Sequence, residues 1–214
     1  MERACEPELL DALPFSDPDA AHSRRDLRII NRLMRNEAWF ERTLPGLLRP
    51  GERVLELGSG TGELGCRLIR QGVALDGLDL WPRPQAWPKD HLWHQADLRA
   101  FGGYEPYAVV IGNLILHQFT DLELGELGAR LRRSARVVLA CEPARRGASQ
   151  RLFAALAPLF GANHVTRHDG RISVAAGFVG DELPASLGIP REGWTTSCTA
   201  TVLGAIRLVA LRSA

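Results

Sequence analysis

The stretch Val54-Leu55-Glu56-Leu57-Gly58-Ser59-Gly60-Thr61-Gly62 constrains this chain more than any other. An apolar run of strand character breaks into glycines at 58, 60, 62 and 65, and a helical pattern follows over 62–71. Glycine opens backbone conformations closed to other residues and lets a ligand lie against the main chain. A strand, a glycine turn and a helix N-terminus in that order suit a dinucleotide, a phosphate or another nucleoside ligand. Gly60-Thr61-Gly62-Glu63-Leu64-Gly65 also fits the G-x-G-x-x-G dinucleotide fingerprint, and Asp79 lies at the distance from which an acid grips a ribose.

The flanking sequence alternates strand and helix patterns. Leu27, Ile30, Leu33, Met34, Trp39 and Phe40 recur at helical spacing and predict a helix over 22–49. Strands are predicted at 53–57, 73–80, 92–95, 107–112, 135–141, 194–201 and 203–211. Further helices are predicted at 121–133, 147–160 and 179–187, with a polar loop at 161–173. Such alternation indicates an α/β sheet covered on both faces. Residues 81–90, with three prolines, predict an extended crossover where a helix would otherwise run, since proline blocks helix interiors. Trp81 and Trp87 in that loop either cover the sheet edge or pack on something flat. No internal repeat or linker divides the 214 residues, so one domain is expected.

Charge and cysteine usage exclude several classes. A net charge of +1 leaves no footprint for nucleic acid or an anionic membrane. No apolar run is long enough to span a bilayer, and the acids of the opening residues do not suit an export signal. Cys5, Cys66, Cys141 and Cys198 are scattered without a C-x-x-C pair, which argues against a metal site and fits reduced cytoplasmic thiols. Lys89 is the only lysine, so the Tyr-x-x-x-Lys pair of a nicotinamide dehydrogenase has no place after the glycine motif.

Three features favour another nucleoside ligand over a dinucleotide. Glu56 stands two residues before Gly58, a further acid, Asp97, ends the third predicted strand, and some 50 residues of helical character precede the motif. The arrangement resembles the class I, seven-strand S-adenosylmethionine-dependent methyltransferases, by motif over residues 50–141 and by strand–helix order over most of the chain. The resemblance implies a Rossmann-like three-layer sandwich, with a mostly parallel seven-stranded sheet and an antiparallel last strand. It divides the chain into a helical lid (1–49), a cofactor-binding half (50–142) and a substrate-side half (143–214). Within E-L-G-S-G-T-G it assigns the turn Gly58-Ser59-Gly60 to the amino acid part of the cofactor and Glu56 to its α-amino group. Asp79, followed by Leu80, matches the acid that takes both ribose hydroxyls. Asp97 and Leu98 match the acid–apolar pair at the adenine, and Asn113 ends the fourth strand beside the reacting sulfonium.

The acceptor side is read from fewer signals. A hydroxyl acceptor calls for a base, and His117, just past the fourth strand, is placed for that role or for supporting its loop. His168 and Asp169, in N-H-V-T-R-H-D-G-R, form a second candidate pair, with a solvated loop as the plainer reading. Arg171, Glu142 and Asn31 are candidate acceptor contacts, the last from an arginine-striped helix (Arg24, Arg28, Arg32, Arg35) that is otherwise a solvated face. The expectation is S-adenosylmethionine-dependent transfer to a small-molecule acceptor, with S-adenosylhomocysteine as product. Oxygen is the expected atom, because Gly112-Asn113-Leu114-Ile115 replaces the N/D-P-P-Y motif of amino-group methylation. A nicotinamide oxidoreductase or a non-catalytic nucleoside-binding module is the alternative.

Overall fold

The computed structural model describes residues 2–213. In chain order its elements are α1 (Leu9–Ala12), α2 (Pro18–Met34), α3 (Asn36–Thr43), β1 (Arg53–Leu57), α4 (Glu63–Arg70), β2 (Leu75–Asp79), β3 (Trp93–Gln95) and β4 (Tyr107–Asn113). They continue with α5 (Asp121–Ser134), β5 (Val137–Pro143), α6 (Gly147–Leu156), α7 (His164–Ala176), α8 (Glu182–Ser186), β6 (Trp194–Ala200) and β7 (Ala205–Arg212). The strands form one sheet in the order β3-β2-β1-β4-β5-β7-β6. β1 to β5 are parallel, and β7 runs antiparallel between β5 and β6. This is the expected mostly parallel sheet with its antiparallel last strand.

Successive strand residues point to opposite faces. Leu55 and Leu57 join Leu78, Val110 and Leu124 on one side, while Val54 joins Val109, Ile111, Leu68 and Phe40 on the other. Helices cover both faces, so the central strands are apolar at nearly every position, as buried parallel strands must be. Strand order reverses between β1 and β4, and the crevice at their carboxyl ends is where an open α/β sheet receives a ligand.

Local chemistry sets the helix boundaries. Asp17 accepts from the Asp19 and Ala20 amides and Pro18 opens α2, an N-terminus of the usual kind. Thr120 and Glu123 form a reciprocal capping box on α5. The helix expected over 22–49 is two helices, because Arg35 takes a left-handed conformation (φ 56°) and turns the chain between α2 and α3. The polar loop expected at 161–173 is instead helix α7. Asn163 caps it by accepting from the Thr166 amide, and Val165, Ile172 and Ala176 supply its buried face. Residues 81–92 contain no helix, as their prolines predict.

Candidate active site

A cavity of about 450 Å³ lies at the carboxyl ends of β1, β2, β4 and β5, roofed by α2 and the chain before it. Its floor is the glycine turn. Gly58 has φ 62°, and a Cβ there would stand 2.5 Å from Ile115 Cγ1, so the loop after β4 packs against bare backbone. At Gly65 a Cβ would stand 2.5 Å from the Trp87 ring and 2.6 Å from Glu56 Oε2. Ser59 fastens the turn, its Oγ donating to the Glu56 carbonyl (3.0 Å) and accepting from the Leu78 amide (3.3 Å). Ser59 therefore joins the turn to β2, a role with no signature in the sequence.

Three acids stand along this floor. Glu56 is 3% exposed, and its Oε2 has no hydrogen-bond partner. Burial pushes its carboxyl up to about 8, and Asp79 and Glu37 add to the rise. Asp79 accepts from the Gly60 amide (2.7 Å) and the Trp81 amide (2.8 Å), and burial outweighs these donors to raise its carboxyl. Asp97 accepts from the Arg99 amide and guanidinium, which hold it below the usual carboxylate range. Leu80, exposed, and Leu98, buried, flank the acids on the cavity wall. Trp81 closes that end against Phe15 (5.5 Å, edge to face), and the Arg24 guanidinium lies 4.3 Å from the Phe15 ring and 5.2 Å from the Trp81 ring. Trp87 instead is buried under α4, donating to the His91 carbonyl.

On the other side of the switch point, Asn113 Nδ2 donates to Asn31 Oδ1 (3.1 Å), which ties β4 to α2. Asn36 Nδ2 donates to the same oxygen (3.2 Å), and Asn113 Oδ1 is buried without a partner. Asn113 and Asn31 line the cavity.

His117 lines the cavity too, but both ring nitrogens are engaged. Nδ1 donates to Glu142 Oε2 (2.7 Å) and Nε2 to Glu8 Oε1 (3.3 Å). Burial alone would lower its pKa, yet the two carboxylates outweigh burial and raise it to about 9. At neutral pH the ring is therefore an imidazolium with no free lone pair. Glu142 also accepts from the amides of Ile115, Leu116 and His117, so its carboxylate organises the loop after β4 and does not open on the cavity. Asp169 and His168 do meet (3.0 Å), but the Asp169 carboxylate also accepts from the Leu9 and Leu10 amides and so caps α1. His168 and Arg171 lie off the cavity wall, and Arg171 is exposed.

The structure thus gathers Glu56, Gly58, Ser59, Gly60, Asp79, Leu80, Asp97, Leu98, Asn113, Asn31, His117 and Asp169 around one cavity, and leaves His168, Arg171 and Glu142 outside it. Sequence reasoning missed the strap before α1. Arg3 donates to the His117, Phe119 and Ala176 carbonyls and pairs with Asp121, while Glu8 joins His117, Gln118 and Ser173. Only the tertiary fold brings these residues to the site. Among the described residues, no group of three or more His, Cys, Asp or Glu is placed to hold a metal ion, and no helix is long and apolar enough to cross a membrane.

Comparison with solved structures agrees with this architecture. The plantazolicin methyltransferase BpumL, in complex with SAH (S-adenosylhomocysteine), superposes with a TM-score of 0.72 at 13% identity, over 94% of this chain and 92% of its own. A TehB-like SAM-dependent methyltransferase from Corynebacterium glutamicum gives 0.58 at 15% identity, over 90% and 99%. A chain from work on conversion of a disulfide bond into a thioacetal group during echinomycin biosynthesis gives 0.61 at 23% identity, over 83% and 81%. The protein has the seven-stranded fold of the class I methyltransferases. At these identities the likeness is one of fold. No protein-family profile matches the sequence, and no curated protein does.

Proposed function

We propose that this protein transfers a methyl group from S-adenosylmethionine to a small-molecule acceptor and releases S-adenosylhomocysteine. The observation that carries the reading is Glu56, whose buried Oε2 lacks a donor beside the glycine turn while Asp79 and Asp97 follow along the same cavity. A buried carboxylate raised to about 8 is destabilised as an anion. The α-amino group of the cofactor is a cation that relieves this cost, so the residues fit the ligand.

Asp79 would take the ribose hydroxyls, and Asp97 with Leu98 the adenine edge. Gly58, Ser59 and Gly60 would lie against the amino acid part. When bound, S-adenosylmethionine supplies an electrophilic methyl carbon on a sulfonium. The chain's contribution at the reacting end is positioning, which accounts for much of the rate in an in-line displacement. Asn113 and Asn31 fix β4 against the roof beside that end. His117 already carries its proton at neutral pH, so we assign it to hold the loop and the strap. The proton of an oxygen acceptor passes to solvent.

The test is calorimetric titration of the protein with S-adenosylhomocysteine and, separately, with NAD, followed by incubation with methyl-tritiated S-adenosylmethionine and a library of hydroxylated small molecules. Micromolar S-adenosylhomocysteine binding with silence from NAD is expected. The opposite pattern would replace this reading with a nicotinamide enzyme.

A further inference from the structure

The two halves of the cavity differ in chemistry. The half under β1 to β3 carries Glu56, Asp79 and Asp97. The half under β5 and β7 is walled by α6, which follows β5, by Leu203 in the turn before β7, and by the end of α2, whose Met34 carbonyl accepts from Arg207 of β7. The side chains presented there are Leu33, Met34, Leu152, Phe153, Leu156 and Leu203. Helix α6 contains no buried residue, although it lies over the site. Leu33 is 52% exposed, Leu152 37%, Leu156 36% and Leu203 45%.

Of the charged groups nearest this half, three are already occupied, while Asp11 beside them on the cavity wall has no side-chain partner among the described residues and burial pushes its carboxyl up to about 6. Glu8 is bonded to His117, Gln118 and Ser173, Asp169 to the Leu9 and Leu10 amides, and His117 to its two carboxylates. An anionic acceptor entering this half would lose its hydration beside Glu8, Asp11 and Asp169, and a cationic one would meet only Asp11, whose carboxyl burial already shifts toward its neutral form, a poor exchange for lost hydration. An uncharged apolar molecule would cover leucines now facing water, which is favourable in proportion to the area buried. At about 450 Å³ for both ligands together, the cavity is near the lower end of small-molecule sites, which run from roughly 300 to 1,000 Å³.

We propose that the acceptor subsite takes an uncharged, largely apolar small molecule of one or two rings, seated between α6, the end of α2 and Leu203. The proposal rests on the methyl-transfer reading only for what happens to that molecule. The binding site itself is an independent claim.

Three probes of one shape separate the chemistries: 2-naphthol (neutral), 2-naphthoate (anionic) and 2-naphthylmethylammonium (cationic). Each is titrated into the full chain, alone and in the presence of millimolar S-adenosylhomocysteine, with binding read by saturation-transfer NMR and calorimetry at pH 7. 2-Naphthol is expected to bind at least tenfold more tightly than either charged probe. Leu152→Asp and Leu156→Asp, both at partly exposed positions, are each expected to weaken 2-naphthol at least tenfold while moving S-adenosylhomocysteine affinity less than twofold. A charged probe that binds as well as 2-naphthol, indifference to both substitutions, or failure of all three probes to bind overturns the subsite. If 2-naphthol binds with the expected sensitivity but S-adenosylhomocysteine does not bind, the subsite stands and the methyl-transfer reading falls.

Discussion

His117 Nδ1 lies 2.7 Å from Glu142 Oε2, a direct contact buried inside the protein. The same carboxylate accepts three consecutive backbone amides, so one β5 side chain shapes the whole loop after β4. Removing one partner of a buried, hydrogen-bonded charge pair strands the other. Glu142→Ala is expected to cost about 3–5 kcal/mol, which lowers the thermal midpoint by roughly 6–20 °C in a chain of this size. Differential scanning calorimetry measures it. A midpoint within about 2 °C of the parent would show that the loop does not depend on this carboxylate.

The clamp on His117 also sets an alkaline limit. Its folded pKa of about 9 is above the ordinary histidine value. Stability from that shift is complete below about pH 6.5 and is lost as pH rises through 9. The thermal midpoint should therefore decline between pH 7 and 10. Glu8→Gln should start lower at pH 7 and decline less. Parallel curves for the two proteins would detach Glu8 from the effect.

Glu56 gives a second pH signature, over a different window. Its carboxyl is raised, so the unliganded fold is most stable below about pH 4.5 with respect to this group and loses that contribution as pH rises through 8. A cationic amino group beside the carboxylate reverses the preference. S-adenosylhomocysteine affinity should then rise more than tenfold from pH 6 to pH 8, and binding at pH 7 should release protons, measurable in buffers of different ionisation enthalpy. Glu56→Gln should abolish both effects. A proton release unchanged in Glu56→Gln would place its source elsewhere.

Asp79→Ala removes the carboxylate assigned to the ribose. The expected loss is about 2–4 kcal/mol, or tens- to hundreds-fold in S-adenosylhomocysteine affinity. Because Asp79 also accepts from the Gly60 amide, Asp79→Asn is the useful companion. It keeps an acceptor for Gly60 and should still lose most of the affinity. Parental affinity in a folded Asp79→Asn protein would remove Asp79 from the ribose.

What was legible in the sequence was local or periodic. The β1–glycine–α4 unit is a contiguous run of residues, and the acids at strand ends follow from where each strand stops. The unbroken apolar runs of β4 and β5 placed both in the sheet. The break at Arg35 was not legible, because neither glycine nor proline marks it. Helix α7 was hidden by polar composition: His164, Arg167, His168 and Arg171 mask the buried positions Val165, Ile172 and Ala176. The fate of His117 was illegible for another reason. A histidine past the fourth strand reads equally as a base or as a support for its loop, and the contact of its second nitrogen with Glu8, 109 residues away, has no signature in the sequence.

That separation bears on the order in which the molecule is made. Residues 3 to 10 are tied to partners 109 to 173 positions further along the chain. At translation rates of about 5–20 residues per second, the strap waits roughly 5–35 s after synthesis before its partners leave the ribosome. Through that interval the segment before α1 has no partner to close against, and residues made before α2 are seated only after α7 is made. Closure of the mouth cannot precede the emergence of α7.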